Sequence, residues 1–167
     1  MACRTEDTKV YRVLFVCLGN ICRSPAAEAI LHRLGQERGL EAHLFVDSAG
    51  IYGGHVGNLP DPRMRAHAAR RGYLLEHRSR PITEEDFDHF DLIIGMDDRN
   101  IEDLRDLSPD ADSWAKIHRM TEYSRHYGND AVPDPYYSGA DGFECVLNLL
   151  EDACEGLLET LFGEKRG

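Results

Sequence analysis

The sequence predicts an α/β fold: a single doubly wound domain with a central four-stranded parallel sheet flanked by helices. Three observations carry this expectation. The segment "YRVLFVC", Tyr11–Cys17, is β-branched and aromatic with almost no polar face, as a strand buried on both sides requires. Further strand-like runs follow, each separated from the next by a helix-like stretch. The whole alternation fits within 167 residues, with no repeat, linker or low-complexity segment to divide it, and parallel neighbours then need right-handed crossovers. The domain is expected over 10–167, after a short N-terminal tail at 1–9.

Each element has its own signal. After Cys17, Ser24 reads as an N-cap and Pro25 as the first helical residue. Ala26, Ala27, Ile30, Leu31 and Leu34 keep the helical period, and Gly35 or Gly39 ends it. "HLFVDS", His43–Ser48, is a second strand, followed by the loop "AGIYGGHVGNLPDP". Asp61 caps and Pro62 opens a helix to about Arg71, where Gly72 stops it. "FDLIIGMD", Phe90–Asp97, is a third strand, and an acidic helix covers about Arg99–Leu107. "AKIHRM" supplies the fourth strand, "GNDAVPDPYYSGADG" is loop by its Pro, Gly and Asp content, and a last helix runs from about Gly142 to Phe162.

Composition excludes several function classes. The formal charge of −11 argues against a nucleic-acid binder. No apolar run approaches the about 18 residues of a membrane span. "MACRTEDTKVY" mixes both charges and lacks the apolar core of a signal peptide, so a soluble, cytoplasmic protein is expected. The arginines from Arg63 to Arg80, with Glu76 as the single acid among them, read either as a solvated helix face or as an anion-steering patch. The five cysteines are odd in number and irregular in spacing, which does not suit a disulfide framework. Cys17 and Cys22 form C-x4-C, but no second close pair completes a structural zinc site. No metal or organic cofactor is implied.

The chemistry concentrates in "VCLGNICRSP". In doubly wound sheets ligands sit beyond the carboxyl ends of strands, and Cys17 ends the first one. Leu18, Gly19, Asn20, Ile21 and Cys22 must curl between strand and helix; Gly19 allows positive φ and Asn20 tolerates the left-handed region. Such a curl turns successive backbone N–H groups inward as an anion nest, and the following helix N-terminus adds positive potential. Arg23 offers a fork that matches two oxygens of a tetrahedral oxyanion. The same field favours a thiolate at Cys17, placed for in-line attack on phosphorus; the plainer reading is an inert thiol at a strand end. A leaving oxygen then needs a proton, and "VPDPYY" offers Asp134 between two stiffening prolines, with Tyr136 and Tyr137 as walls of an aromatic slot. The plainer reading there is a Pro-Asp-Pro turn with surface tyrosines.

These pieces, with "DSAG", "PDPR", Met96–Asp97 and "DPYY" in this order and spacing, resemble the low-molecular-weight protein tyrosine phosphatase family from about Tyr11 to Phe162. The resemblance implies hydrolysis of phosphotyrosine through a phosphocysteine, with tyrosine-phosphorylated proteins as substrates and a monomer or weak dimer as the assembly. It implies Cys17 as nucleophile, Arg23 as the phosphoryl-binding residue and Asp134 as general acid and then base. By the same resemblance Asn20, Ser24, Ser48 and His77 hold the loop and tune the thiolate, and Glu28 and Asp47 keep His77 charged. Cys22 resembles the partner of a reversible disulfide with Cys17. The sequence departs from the eukaryotic members at Gly54, where they carry a large aromatic, and at Asn58, where they often carry arginine. Tyr52 stands close enough to substitute, and His55 joins it at the slot rim. Ile21 matches the tyrosine-specific members, whereas relatives acting on phosphoarginine carry threonine there.

Three other functions compete. A thioredoxin-coupled arsenate reductase of this fold needs a relay of cysteines, and none lies between Cys22 and Cys145. A protein arginine phosphatase is disfavoured by Ile21. A silent phosphotyrosine-binding module would lack the nucleophile or the acid, and both are present.

Overall fold

The computed structural model describes residues 9–136 and 138–163. Tyr137 and the tail at 1–8 fall outside the described residues, so the expectations placed on them are not addressed below.

Four strands, β1 (Tyr11–Cys17), β2 (Leu44–Gly50), β3 (Leu92–Gly95) and β4 (Ile117–Arg119), form one parallel sheet in the order β2-β1-β3-β4. Around it lie helices α1 (Arg23–Glu37), α2 (Pro62–Ala69), α3 (Glu84–His89), α4 (Asp98–Leu107) and α5 (Ala140–Phe162). β1 runs down the centre, and its alternation explains the missing polar face. Val13, Phe15 and Cys17 enter a core with Ala26, Ile30, Leu147 and Leu150 of α1 and α5. Leu14 and Val16 enter a second core with Phe87, Ile93 and Leu104 on the side of α3 and α4. From Val13 to Cys17 both sides of the strand are covered, so each of these residues must be apolar; Tyr11 and Arg12 at its start are only partly buried. The strand order reverses direction between β1 and β3, and that switch opens a crevice at their carboxyl ends, beside Cys17 and Asp97.

Several expected boundaries move, each for a local reason. β2 continues to Gly50 because its register with β1 carries through to the pair Cys17–Gly50. β3 is only four residues long: Phe90 closes α3, and Asp97 caps α4 by accepting from Asn100 N–H at 2.8 Å. The N-cap of α1 is Cys22 rather than Ser24. Ser24 sits inside the first turn and is buried, with its hydroxyl engaged by Cys17 and Asn20. α1 therefore starts with no side-chain cap and no acid in its first turn, so its positive end is left for whatever lies beyond it. Asp61 does cap α2, accepting from Arg63 N–H at 2.8 Å. Arg63, Arg71 and Arg80 of the arginine-rich stretch are engaged in ion pairs: Arg63 with Asp61, Arg71 with Glu144 and Glu151, and Arg80 with Asp47 and Asp86. That supports the solvated, paired face over a steering patch. Among the described residues no helix is long and apolar enough to cross a membrane.

Candidate active site

The loop 18–22 is held from outside by its carbonyls. Ile51 N–H binds the carbonyl of Cys17 at 3.0 Å, Tyr52 N–H that of Leu18 at 2.8 Å, and Asp61 N–H that of Ile21 at 2.7 Å. The Ser79 hydroxyl donates to the carbonyl of Gly19 at 3.0 Å. In a trans peptide the N–H points opposite to the C=O, and no peptide among the described residues is cis. The N–H groups of Leu18, Gly19, Asn20 and Cys22 therefore turn inward, which is the nest expected from the sequence.

The positive φ needed for this curl belongs to Asn20, at 57°, and not to Gly19. Asn20 tolerates it because its side chain is fully bonded in place. The backbone N–H of Arg80 can only donate, so the atom 3.0 Å from it is Asn20 Oδ1. Asn20 Nδ2 then donates to Ser24 Oγ at 2.8 Å and to Ser48 Oγ at 3.1 Å. Glycine matters instead at two close approaches. A Cβ on Gly19 would stand 3.0 Å from the His55 ring, and one on Gly50 would stand 3.0 Å from Asn20 Cβ and 3.1 Å from Asn20 N. Gly50, Ser79 and Arg80 are the supports that sequence reasoning missed. They belong to distant segments whose only local signals, a small residue and two polar ones, have no spacing rule.

Cys17 Sγ lies at the base of this curl, 3.1 Å from Ser24 Oγ and 3.4 Å from Ser24 N, whose N–H points at it. Arg23 is 2 % exposed, and its Nη1 donates to Asp97 Oδ2 at 2.7 Å and to the carbonyl of Val132 at 2.9 Å. Its Nη2 stands 3.8 Å from Asp134 Oδ2. Burial opposes charge on the guanidinium, but Cys17 and Asp97 outweigh it and hold Arg23 above its ordinary value. Asp134 is exposed on its loop and accepts from Tyr136 N–H at 3.0 Å. Cys22 is buried, and burial, then the charge of Asp61, pushes its thiol well up, so it stands as a neutral thiol beside the site.

Behind the loop, His77 Nε2 lies 3.0 Å from Asn20 Oδ1 and must donate to it. Its Nδ1 faces Glu28 Oε1 at 3.3 Å and Asp47 Oδ1 at 3.4 Å. Ser48 donates its hydroxyl to Glu28 at 2.6 Å and its N–H to Asp47 at 2.8 Å. Burial pushes Glu28 up to about 7 and pushes His77 down. Both carboxylates stand beside His77, but burial outweighs Asp47 and lowers the histidine, against the expectation that they keep it charged.

A cavity of about 260 Å³ brings Cys17, Leu18, Gly19, Ile21, Cys22, Arg23, Tyr52, His55, Asp134 and Tyr136 onto one surface. Arg63 lies over the Tyr136 ring, 5.3 Å from its centroid, and braces that wall. Tyr52 also lines the cavity, edge-on to His55 at 6.0 Å. A Cβ on Gly54 would fall 2.2 Å from the Tyr52 ring. The missing side chain at Gly54 is what lets the Tyr52 ring lie against that backbone where it lines the cavity.

A parallel doubly wound sheet, a Cys-x5-Arg loop at its switch point and an aspartate opposite define a phosphatase-like site of the cysteine class. A family profile described as low molecular weight phosphotyrosine protein phosphatase matches residues 12–166, and the chain belongs to this family of hydrolases. It is 43% identical over 155 residues to a low molecular weight protein-tyrosine-phosphatase of Bacillus subtilis, covering 92% of this chain and 97% of that one. The crystal structure of a protein tyrosine phosphatase from Entamoeba histolytica with Hepes in its active site superposes with a TM-score of 0.89 at 43% identity, covering 93% of this chain and 99% of that one. A Drosophila arginine phosphatase structure superposes with a TM-score of 0.83 at 35% identity, covering 89% and 96%.

Proposed function

We propose that this protein hydrolyses phosphotyrosine in protein substrates through a phosphocysteine intermediate at Cys17. The observation that supports this most is the convergence on Cys17 Sγ of the uncapped α1 N-terminus, the inward loop N–H groups, Arg23 and Asp134 in one cavity. In the first step Cys17 Sγ attacks phosphorus, the bond from phosphorus to the tyrosyl oxygen breaks, and Asp134 gives that oxygen its proton. In the second step Asp134 takes a proton from water as the water oxygen attacks phosphorus, and the S–P bond breaks to return Cys17 and release phosphate. Nη1 of Arg23 is committed to Asp97 and Val132, so its remaining edge serves the phosphoryl oxygens as a two-point fork. The inward N–H groups supply the rest of the charge that the transferring group needs.

Tyr52 and Tyr136 wall the slot for the phosphotyrosine ring, and His55 supports the first. Ile21 lines the same cavity with a side chain that has no donor or acceptor for a guanidino group, which favours the phenyl substrate over phosphoarginine. A cysteine relay, as an arsenate reductase needs, finds no support: Cys145 is exposed on α5, and Cys154 is buried in the core between α1 and α5. The four cysteines among the described residues are free, as suits a reducing cytoplasm.

The test is turnover by wild type and Cys17→Ser on p-nitrophenyl phosphate and on phosphotyrosine, phosphoserine and phosphoarginine peptides. The expected order puts phosphotyrosine far above the other peptides, with Cys17→Ser inactive on all. Preference for phosphoarginine would overturn the substrate assignment.

A further inference from the structure

We infer that Arg63 is a positioning residue for the proton-transfer step: it ties the segment that carries Asp134 to Asp61, the residue that also holds the loop 18–22. This rests on the proposed role of Asp134 as general acid, and adds how that acid is kept in place at the cavity. Both Asp61 and Arg63 come from the motif "PDPR", 60–63.

Asp61 is buried, and its N–H binds the carbonyl of Ile21 at 2.7 Å. Its carboxylate takes Arg63 at two points, Nε to Oδ1 at 3.0 Å and Nη2 to Oδ2 at 2.8 Å. Two parallel bonds fix the plane of the guanidinium, which a single contact would leave free to turn. From there Arg63 reaches two rings. Its Cζ lies 5.3 Å from the centroid of Tyr136 and 5.0 Å from that of Phe143, both within cation–π range. Phe143 is buried and stacks on His67 of α2 with the planes 6° apart, so it belongs to the fixed core. Tyr136 belongs to the segment of the acid.

Tyr136 and Asp134 move as one unit. Pro135 between them has a locked φ, and Tyr136 N–H donates to Asp134 Oδ1 at 3.0 Å. Ser138 N–H closes the next turn on the carbonyl of Pro135 at 2.8 Å. A stop placed on the Tyr136 ring is therefore felt at the Asp134 carboxylate. At the other end of the segment, Val132 N–H binds the carbonyl of Met96 at 2.8 Å, and Arg23 holds the carbonyl of Val132. Asp134 itself stands 3.8 Å from Arg23 Nη2, too far for a hydrogen bond to set its position.

Helix chemistry alone would not choose arginine here. Arg63 is the second residue of α2, whose first turn carries no acid, and a cation there faces the positive end of the helix dipole. The cap needs only the backbone N–H of residue 63, which any residue but proline supplies. The long stem and planar head of arginine serve the contacts beyond the helix. The side chain is 48% exposed, so replacing it leaves the core intact.

The experiment measures kcat/KM for aryl phosphates of rising leaving-group pKa, ending with phosphotyrosine. It compares wild type, Arg63→Lys, Arg63→Ala, Asp134→Ala and the double variant Arg63→Ala with Asp134→Ala. A misplaced acid fails the poorest leaving groups most. Arg63→Ala should therefore lose about 10–100-fold on phosphotyrosine and little on p-nitrophenyl phosphate. Arg63→Lys keeps the charge without the fork and should follow Arg63→Ala. In the double variant, Arg63→Ala should add nothing to the leaving-group dependence, because the acid it positions is gone. Phosphate inhibition and the alkylation rate of Cys17 should match wild type in both single Arg63 variants, as folded proteins with an intact loop 18–22. A change in either would place the effect in that loop and overturn the assignment. An equal loss on every leaving group would make Arg63 a brace of the ring slot alone; further steepening in the double variant would mean that it acts apart from Asp134. Either result overturns the role of Arg63 while Asp134→Ala still shows its own leaving-group dependence. If Asp134→Ala shows none, the reading of Asp134 as the acid fails, and this role of Arg63 falls with it.

Discussion

Nη1 of Arg23 lies 2.7 Å from Oδ2 of Asp97, and the side chain of Arg23 is almost wholly buried while that of Asp97 is partly open. One edge of the guanidinium is thereby anchored from β3's carboxyl end while the residue itself starts α1. Asp97 is a positioning residue in this account.

Arg23→Lys keeps the charge and loses the planar fork, so kcat should fall by orders of magnitude. Asp97→Asn should cost less, about 10²-fold if the fork shifts by about 1 Å. Phosphate should restore more stability to Asp97→Asn than to wild type, because the anion replaces the lost counter-charge of Arg23. Thermal melts with and without phosphate check this. Equal phosphate stabilisation of both proteins would mean that Asp97 does not balance Arg23.

Asp134→Ala should lose about 10²–10⁴-fold on phosphotyrosine, whose leaving oxygen needs a proton. It should lose less on p-nitrophenyl phosphate, whose leaving group departs with little help, when phosphorylation of Cys17 limits both. The basic limb of the pH profile should disappear as well. The same loss on both substrates with an unchanged profile would reduce Asp134 to a turn residue.

Tyr52→Ala should raise KM for phosphotyrosine peptides and leave small alkyl phosphates little affected, since only the ring uses that wall. Gly54→Ala should act in the same direction, because its Cβ would collide with the Tyr52 ring. If both variants bind phosphotyrosine peptides as wild type does, Tyr136 alone makes the slot.

Asp152 on α5 accepts from the N–H of Arg125 at 2.8 Å and of His126 at 3.0 Å. Burial alone would raise its pKa, but these bonds and the His126 ring hold it below the usual carboxylate value. A carboxylate depressed in the folded state adds stability above its unfolded value, about 3.9, and that stability is lost as pH falls through the folded one. Asp152→Asn should therefore cost about 1–3 kcal/mol at neutral pH, and the gap should close in acid. Denaturant unfolding across pH measures it; a gap independent of pH would mean that the charge contributes nothing.

The sequence revealed most where burial leaves no choice. β1 spans Tyr11–Cys17 as read, because its stretch Val13–Cys17 is covered on both faces and must be apolar throughout. α3 went unread: six residues, four of them acidic, carry no period, although Thr83 and Asp86 form a capping box in which the Asp86 carboxylate accepts Thr83 N–H at 2.8 Å. The loop's residue types pointed to Cys17 and Arg23, but its outer supports did not show. Ser79 and Arg80 reach Gly19 and Asn20 across sixty residues of chain, and only the folded backbone brings them there. Ser24 misled for the opposite reason. Its type suits a cap, yet a sulfur and an amide compete for the same hydroxyl.

The most direct measurement is acid quenching of wild-type protein during turnover of a phosphotyrosine peptide, followed by mass spectrometry of the peptide that contains Cys17. The account predicts a phosphate adduct on Cys17 that forms and decays with turnover, is enriched in a variant slow in the second step, and is absent in an inactive Cys17→Ser. Turnover retained in Cys17→Ser, or phosphate carried by another residue, would contradict it.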